Sequence, residues 1–157
     1  MLDQINNFFT IEVIYLWLNI GVIPFWMCLI IFPSSSISRY FIKSIFPFLI
    51  LSGVYSYLLY TIFKLDYDFL GNFNLYLSFD NLLFLFSSKY FLIMFWCHFL
   101  AINLFCGAWI TYDSLKQGIP KFLTLFPLLI TYFIGPLGIF LYWLIRIFFA
   151  KRISLYD

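Results

Sequence analysis

The stretch HFLAINLFCGAWITYD, residues 98–113, decides how this chain is read. It contains the only histidine of the chain, His98, in a run that is otherwise mostly apolar. A polar group in hydrocarbon raises the free energy unless it finds a partner, so an ionisable residue in such a run is a candidate for function. We therefore expect the rest of the chain to form a small membrane bundle around this helix.

The composition excludes a soluble globular protein. The chain has 157 residues, of which 64% are hydrophobic and 10% are charged. Soluble domains are about 45–50% apolar and about 25% charged. One helical span takes about 20 residues, so this length allows four spans with short loops and leaves no room for a separate soluble domain. The net charge of +2 is too small to indicate binding to nucleic acid.

The hydrophobic segments predict an all-α, polytopic membrane protein with a single domain over residues 1–157. Four transmembrane helices are expected, at about 12–32, 40–63, 90–112 and 122–149. Residues 75–89 have apolar side chains at helical spacing but are too polar and too few to span. They predict one interfacial amphipathic helix in the membrane plane, with a re-entrant segment as the alternative.

The basic residues give only a weak prediction of which side of the membrane the two termini face. Four spans would place both termini on one side, and the lysines and arginines divide almost evenly between the two sides. The basic pair at residues 151 and 152 slightly favours termini in the cytoplasm or stroma. The first residues lack a basic segment, so no cleavable signal peptide is expected. We expect a multi-pass protein of a bacterial inner, thylakoid or plastid membrane.

His98 lies on one of two distinctive faces of the third predicted span. At 3.6 residues per turn, the residues on its face are His98, Ile102, Phe105 and Trp109, continued by Asp113. Asn103 and Gly107 lie on another face. The imidazole has two interpretations: it hydrogen-bonds across the bundle as a structural group, or it acts as a general acid or base because it titrates near neutral pH.

Other polar and small residues interrupt the first and fourth predicted spans. In the first, Asn19 and Pro24 are either tolerated by packing or mark a local opening that lines a cavity. In the fourth, Pro136 cannot pair with the carbonyl of Tyr132, so the helix should bend there. Its flanking small residues allow close packing against a helix or a flat ligand; they are Thr131, Gly135 and Gly138. We expect Arg146 to snorkel to the interface, or alternatively to bind an anionic head group.

Metal and cofactor chemistry is not expected. The three cysteines, Cys28, Cys97 and Cys106, form no CxxC motif and are interpreted as buried free thiols. One histidine is too few for bis-histidine haem, and the ligand count excludes a structural zinc site. We expect no cofactor. Any ligand should be apolar and should enter laterally from the bilayer.

Several blocks of the sequence resemble the small membrane proteins related to plant neoxanthin synthase, the abscisic-acid-deficient type that also has bacterial relatives. The resemblance covers nearly the whole chain. Its opening block is NIGVIPFW followed by LIIFP, with Asn19, Pro24, Trp26 and Pro33. The central block is the amphipathic segment with the His98 helix. The closing block is TYFIGPLGIFLYWLIR, with Thr131, Gly135, Pro136, Gly138 and Arg146.

The resemblance implies action on a carotenoid or related isoprenoid, through an epoxide-opening isomerisation. By position in these blocks, the catalytic candidates are His98 as acid or base, with Asp113 or Asn103 positioning it. Trp26 and Trp109 would line a polyene groove, and the remaining candidates for substrate binding are Asn19, Thr131, Gly135, Pro136 and Arg146. The family usually has Asp-Leu-Phe where this chain has Asn103, Leu104 and Phe105. An amide cannot exchange a proton as a carboxylate can.

This departure leaves a second class of function as the alternative. In that alternative, the chain is a non-catalytic pigment-binding, accessory or assembly subunit of a membrane complex, and its partners are other subunits or further copies of itself. In both cases the lipid bilayer is the expected surrounding.

Overall fold

The computed structural model describes residues 10–64 and 77–150, and in these ranges all regular secondary structure is helical. Seven helices occur in the described ranges, and they are named here in chain order. They are α1 (Ile11–Ile31), α2 (Ser36–Lys43), α3 (Phe46–Lys64), α4 (Phe79–Phe86), α5 (Lys89–Lys116), α6 (Lys121–Phe133) and α7 (Gly135–Ala150).

Three of these helices are long and apolar enough to cross a membrane: α1, α3 and α5. The helices α6 and α7 are apolar but shorter, with 13 and 16 residues. This composition is that of a membrane protein. The predicted first and third spans agree with α1 and α5 to within a few residues.

Two predicted spans differ from the structure. The segment expected at 40–63 begins only at Phe46, because its first residues belong to the separate short helix α2. Ser35 caps α2 by accepting a hydrogen bond from the main-chain nitrogen of Ser38, at 3.0 Å. The span predicted over 122–149, with a bend at Pro136, is divided into two helices, since the helix is interrupted at Ile134, directly before Gly135 and Pro136.

The predicted interfacial helix corresponds in part to α4. Ser78 caps it by accepting from the main-chain nitrogen of Asp80, at 3.2 Å. Most of its apolar side chains are exposed, including Phe79 at 71% and Phe84 at 81%. Residues 75 and 76 of the prediction lie outside the described residues, as does the basic pair at 151 and 152.

The contacts divide the chain into two compact units. Among the described residues, the first unit contains 10–20, 48–64 and 77–100, and the second contains 21–47 and 101–150. The helices α1 and α5 therefore each contribute to both units. Most of the sequence-predicted site residues lie in the second unit; His98 and Asn19 lie in the first.

Within the second unit, α6 and α7 pack against each other and run in opposite directions along α5. Tyr132, near the end of α6, contacts Asn103, whereas Arg146, late in α7, contacts Asp113, ten residues further along α5. A Cβ added at Gly138 would lie 2.7 Å from the Cα of Thr131. In a continuous helix these two residues would be about 10 Å apart. The helices α6 and α7 therefore form a helical hairpin with its turn at Ile134.

Candidate functional site

The most polar cluster of the second unit surrounds the carboxylate of Asp113, in the last turn of α5. Arg146 donates from Nε to Oδ2 at 2.7 Å and from Nη2 to Oδ1 at 3.4 Å. The hydroxyl of Tyr142 donates to Oδ2 at 2.6 Å, and Gln117 donates to Oδ1 at 3.5 Å. Both carboxylate oxygens therefore accept hydrogen bonds from side chains, which is how a buried charge is kept stable.

Burial closes this cluster off from ligands. The exposed fractions are 5% for Asp113, 2% for Arg146 and 0% for Tyr142. The Trp109 ring packs edge-on against the ring of Tyr142, with 5.6 Å between the ring centroids. An ion pair in this setting loses most of its hydration and is held by geometry and by the additional hydrogen bond. We interpret this ion pair as the contact that holds α7 against the end of α5.

The position of Arg146 corrects one expectation from the sequence. Snorkelling would extend the guanidinium to the membrane surface, but the side chain is buried and directed to Asp113. That prediction is wrong, because a carboxylate within reach stabilises the guanidinium more than partial hydration at the interface does. Its role in substrate binding, and the catalytic role of Asp113, stay predictions.

Asn103 lies at the turn of the α6–α7 hairpin. Its side-chain amide nitrogen donates to the main-chain carbonyl of Tyr132, at 3.4 Å. This carbonyl lies in the last turn of α6, where carbonyls have no partner within the helix. Asn103 is 2% exposed, so its amide supplies a donor to this carbonyl inside the protein. Gly135 completes the contact, since a Cβ there would collide with Oδ1 of Asn103.

Trp26 packs into the same region from α1. It is 3% exposed, and its ring lies edge-on to the ring of Tyr132, with 5.3 Å between the centroids. A Cβ at Gly107 would lie 2.6 Å from the Trp26 indole, so the glycine makes room for this ring. The structure thus brings Trp26, Asn103 and Gly135 together as packing partners. In this arrangement Trp26 faces protein, and its predicted place in a polyene groove stays untested.

Thr131 and Gly138 form the closest contact between α6 and α7. Thr131 is fully buried, and its hydroxyl donates to the carbonyl of Pro127 at 2.7 Å. A Cβ at Gly138 would collide with the Thr131 hydroxyl and main chain. Close helix packing, one of the two roles expected for these small residues, is what the structure shows at Gly138.

His98 belongs to the first unit and is exposed, unlike the buried residues Asn103, Asp113 and Arg146. Its ring lies beside that of Tyr55 on α3, with 6.4 Å between the centroids and 53° between the planes. The predicted stripe on its face is also largely exposed, with Ile102 at 47% and Phe105 at 59%, while Trp109 is half-buried. Asp113 is about four helical turns further along α5, and its described partners are Gln117, directly after α5, and Tyr142 and Arg146 on α7.

Asn19 is satisfied within the first unit. Its amide donates to the carbonyl of Tyr15 at 2.7 Å and accepts from the indole N–H of Trp96 at 3.3 Å. This pairing favours the interpretation of Asn19 as a packed residue over a local opening. Of the three free cysteines, Cys97 is buried, but Cys28 and Cys106 are only half-buried, so the expectation of three buried thiols is partly wrong.

Sequence reasoning missed Tyr142 and the carbonyl of Tyr132. A signal for Tyr142 was present, because it precedes Arg146 by four residues and therefore lies on the same helix face. No comparable signal identified the carbonyl of Tyr132 as a partner of Asn103, because that contact depends on the reversal between α6 and α7.

In residues 10–64 and 77–150 all regular secondary structure is helical, and the three long apolar helices are those of a membrane protein. The chain belongs to the ABA DEFICIENT 4-like (ABA4-like) family, whose profile matches residues 13–142. This match confirms the resemblance derived from the sequence. It includes every candidate site residue except Arg146, which follows the matched segment by four residues. Comparisons with curated proteins and with solved structures found no match.

Proposed function

We propose that this chain is a multi-pass membrane protein with three spans, α1, α3 and α5, and that α6 and α7 re-enter the membrane as a hairpin. The support is the reversal at Ile134, which returns α7 toward the end of α5 where α6 began. Backbone groups in hydrocarbon must be paired within the protein, and Asn103 supplies such a pair at the turn. The exposed apolar surface of α4 supports its position in the membrane interface.

We further propose that the chain acts on a carotenoid or related isoprenoid by an epoxide-opening isomerisation. The observation that carries this proposal is the exposed imidazole of His98, on an apolar helix inside the family segment. An imidazole facing lipid is costly unless something covers it. A polyene with a polar ring, entering from the bilayer, would cover it and could reach its nitrogen atoms.

The reaction needs only proton movements. Opening an epoxide into an allenic alcohol adds a proton to the oxygen and removes one from a carbon, so the product is an isomer and no redox cofactor is consumed. His98 is the proposed acid or base, because imidazole is the side chain most often used in proton transfer and His98 is the only histidine of the chain. Tyr55, whose phenol ring lies beside His98, is proposed to orient the ligand's polar ring.

The experiment is pigment analysis of a host that accumulates epoxy-carotenoids, with and without the expressed chain. The proposal expects a new allenic or isomerised carotenoid that disappears in His98→Ala. The matched control is Phe95→Ala, which removes another exposed ring, 42% exposed, one turn earlier on α5. Product formation that survives in His98→Ala contradicts the catalytic assignment.

A second function is a non-catalytic pigment-binding, accessory or assembly subunit. The observation that favours it is Asn103, which stands where the family usually has an acid and which is engaged in pairing the Tyr132 carbonyl. An exposed His98 would then contact a pigment or a neighbouring subunit. In the same experiment, unchanged pigments together with carotenoid or chlorophyll that co-purifies with the chain would support this alternative.

A further inference from the structure

A cavity of about 140 Å³ lies within the second unit, where α1 and α5 end and α6 begins. Its lining is divided between polar and apolar groups. The polar side chains are Ser34, Ser114, Lys121 and Thr124, and the apolar ones include Leu29 and Leu125. Pockets that enclose drug-sized ligands have volumes of about 300–1,000 Å³, so this cavity fits a small charged group better than a whole polyene.

Lys121 brings a positive charge to this cavity. Its Nζ donates to the main-chain carbonyl of Ile31, at the end of α1. A carbonyl at a helix C-terminus carries only a partial negative charge, so this contact does not neutralise the lysine. Across residues 10–64 and 77–150, no carboxylate forms a salt bridge with Lys121, and the nearby acid Asp113 is paired with Arg146.

The position of the cavity determines the kind of anion that reaches it. The ends of α1 and α5, two helices long enough to span, lie where lipid head groups begin. Along α6, the exposed side chains Leu125 and Leu129 extend from the cavity and offer an apolar path for an acyl chain. A ligand with a negative head and an apolar tail matches both features.

We propose that this cavity binds the phosphate head group of an anionic membrane lipid, with Lys121 as the counter-charge. Ser34, which is exposed at the cavity, contributes a hydroxyl donor. The acyl chains follow the exposed side of α6. The proposed lipid site does not include His98 and does not depend on the proposed reaction.

The test is native mass spectrometry of the full chain in detergent, titrated with phosphatidylglycerol, phosphatidylcholine or inorganic phosphate. The wild-type chain should prefer phosphatidylglycerol over phosphatidylcholine. Lys121→Gln should reduce that preference about five-fold, since one lysine near an anionic lipid contributes about that much. Lys121→Arg should keep it. Leu125→Trp keeps the charge but fills the cavity, and should also weaken binding of phosphatidylglycerol.

The control is Lys89→Gln, which removes an exposed lysine from another helix end and leaves the cavity intact. Equal losses in Lys89→Gln and Lys121→Gln would mean general surface charge and would overturn the proposal. Full binding in Leu125→Trp would overturn the assignment to the cavity. Competition by millimolar inorganic phosphate as effective as by lipid would identify a free-anion site instead. A melting temperature measured for each variant separates a lost lipid from a lost fold.

Discussion

The side-chain amide of Asn103 donates to the main-chain carbonyl of Tyr132 across 3.4 Å, at the turn between α6 and α7. The carbonyl is available because α6 ends at Phe133, and the carbonyls in the last turn of a helix have no partner within it. Asn103 thus has a physical role in this chain. An ionised aspartate in its place would have no proton to donate to the carbonyl.

Removing this donor should destabilise the hairpin. Asn103→Leu is expected to lower the free energy of unfolding by about 1 kcal/mol, the scale of an interhelical hydrogen bond in a membrane protein. Unfolding of Asn103→Leu and of the wild-type chain in mixed micelles measures this loss, and unchanged stability in Asn103→Leu would contradict this role of Asn103.

Close packing of α6 on α7 predicts a sharp difference between two glycines. Gly138→Ala should destabilise the chain by about 1–3 kcal/mol, because the added methyl meets the main chain of Thr131, which cannot rotate away. Gly53→Ala, within α3, meets nothing within 4 Å and should be neutral or slightly stabilising. Thermal unfolding of both variants in one detergent checks this. Equal tolerance at the two positions would argue against the hairpin contact.

The ion pair predicts a ranking of three variants. Asp113→Asn removes the carboxylate charge beside a buried guanidinium and should cost about 3–5 kcal/mol. Tyr142→Phe removes one hydrogen bond to that carboxylate and should cost about 1.5–3 kcal/mol. The double variant Asp113→Leu/Arg146→Met should be more stable than Asp113→Asn, because neither charge remains buried. Chemical unfolding measures the stability of all three variants. Unchanged stability in Asp113→Asn would show that the ion pair does not hold α7 against α5.

The sequence predicted the class of protein and the positions of the long helices because those depend on local hydropathy. It also predicted a disruption at Pro136, since a missing N–H is a local property. It could not predict that the chain reverses there. A bend and a reversal have the same local signal, and only the packing of Thr131 on Gly138 and of Arg146 on Asp113 distinguishes them.

In the candidate site, too, the sequence predicted local features but not contacts between distant helices. Gly135 and Gly138 were identified as close-packing residues from their type and spacing, and the structure places both in tight contacts. The partners of Arg146 were missed, because a lone arginine near a helix end has the same appearance whether it snorkels or pairs. The burial of Arg146 depends on where α7 lies beside α5, which no short segment of sequence encodes.

Substitution of His98 should leave the stability of the chain nearly unchanged. Its side chain is exposed, and its ring contact with Tyr55 is loose. His98→Ala should therefore change the free energy of unfolding by no more than about 0.5 kcal/mol, as is usual for surface positions. The measurement is the melting temperature of the purified variant beside that of Phe95→Ala. A large loss of stability would instead make His98 a structural residue of the bundle.

The reversal between α6 and α7 predicts on which side of the membrane α7 ends relative to α5. With three spans and a re-entrant hairpin, the ends of α5 and α7 lie on the same side of the membrane. With four spans they lie on opposite sides. Single cysteines introduced as Gln117→Cys and Ala150→Cys, in a background without the native cysteines, should therefore react with an impermeant maleimide from the same side. Lys64→Cys, at the end of α3, is the control and should react only from the other side. If Ala150→Cys reacts from the same side as Lys64→Cys, the result would support four spans and contradict the re-entrant hairpin.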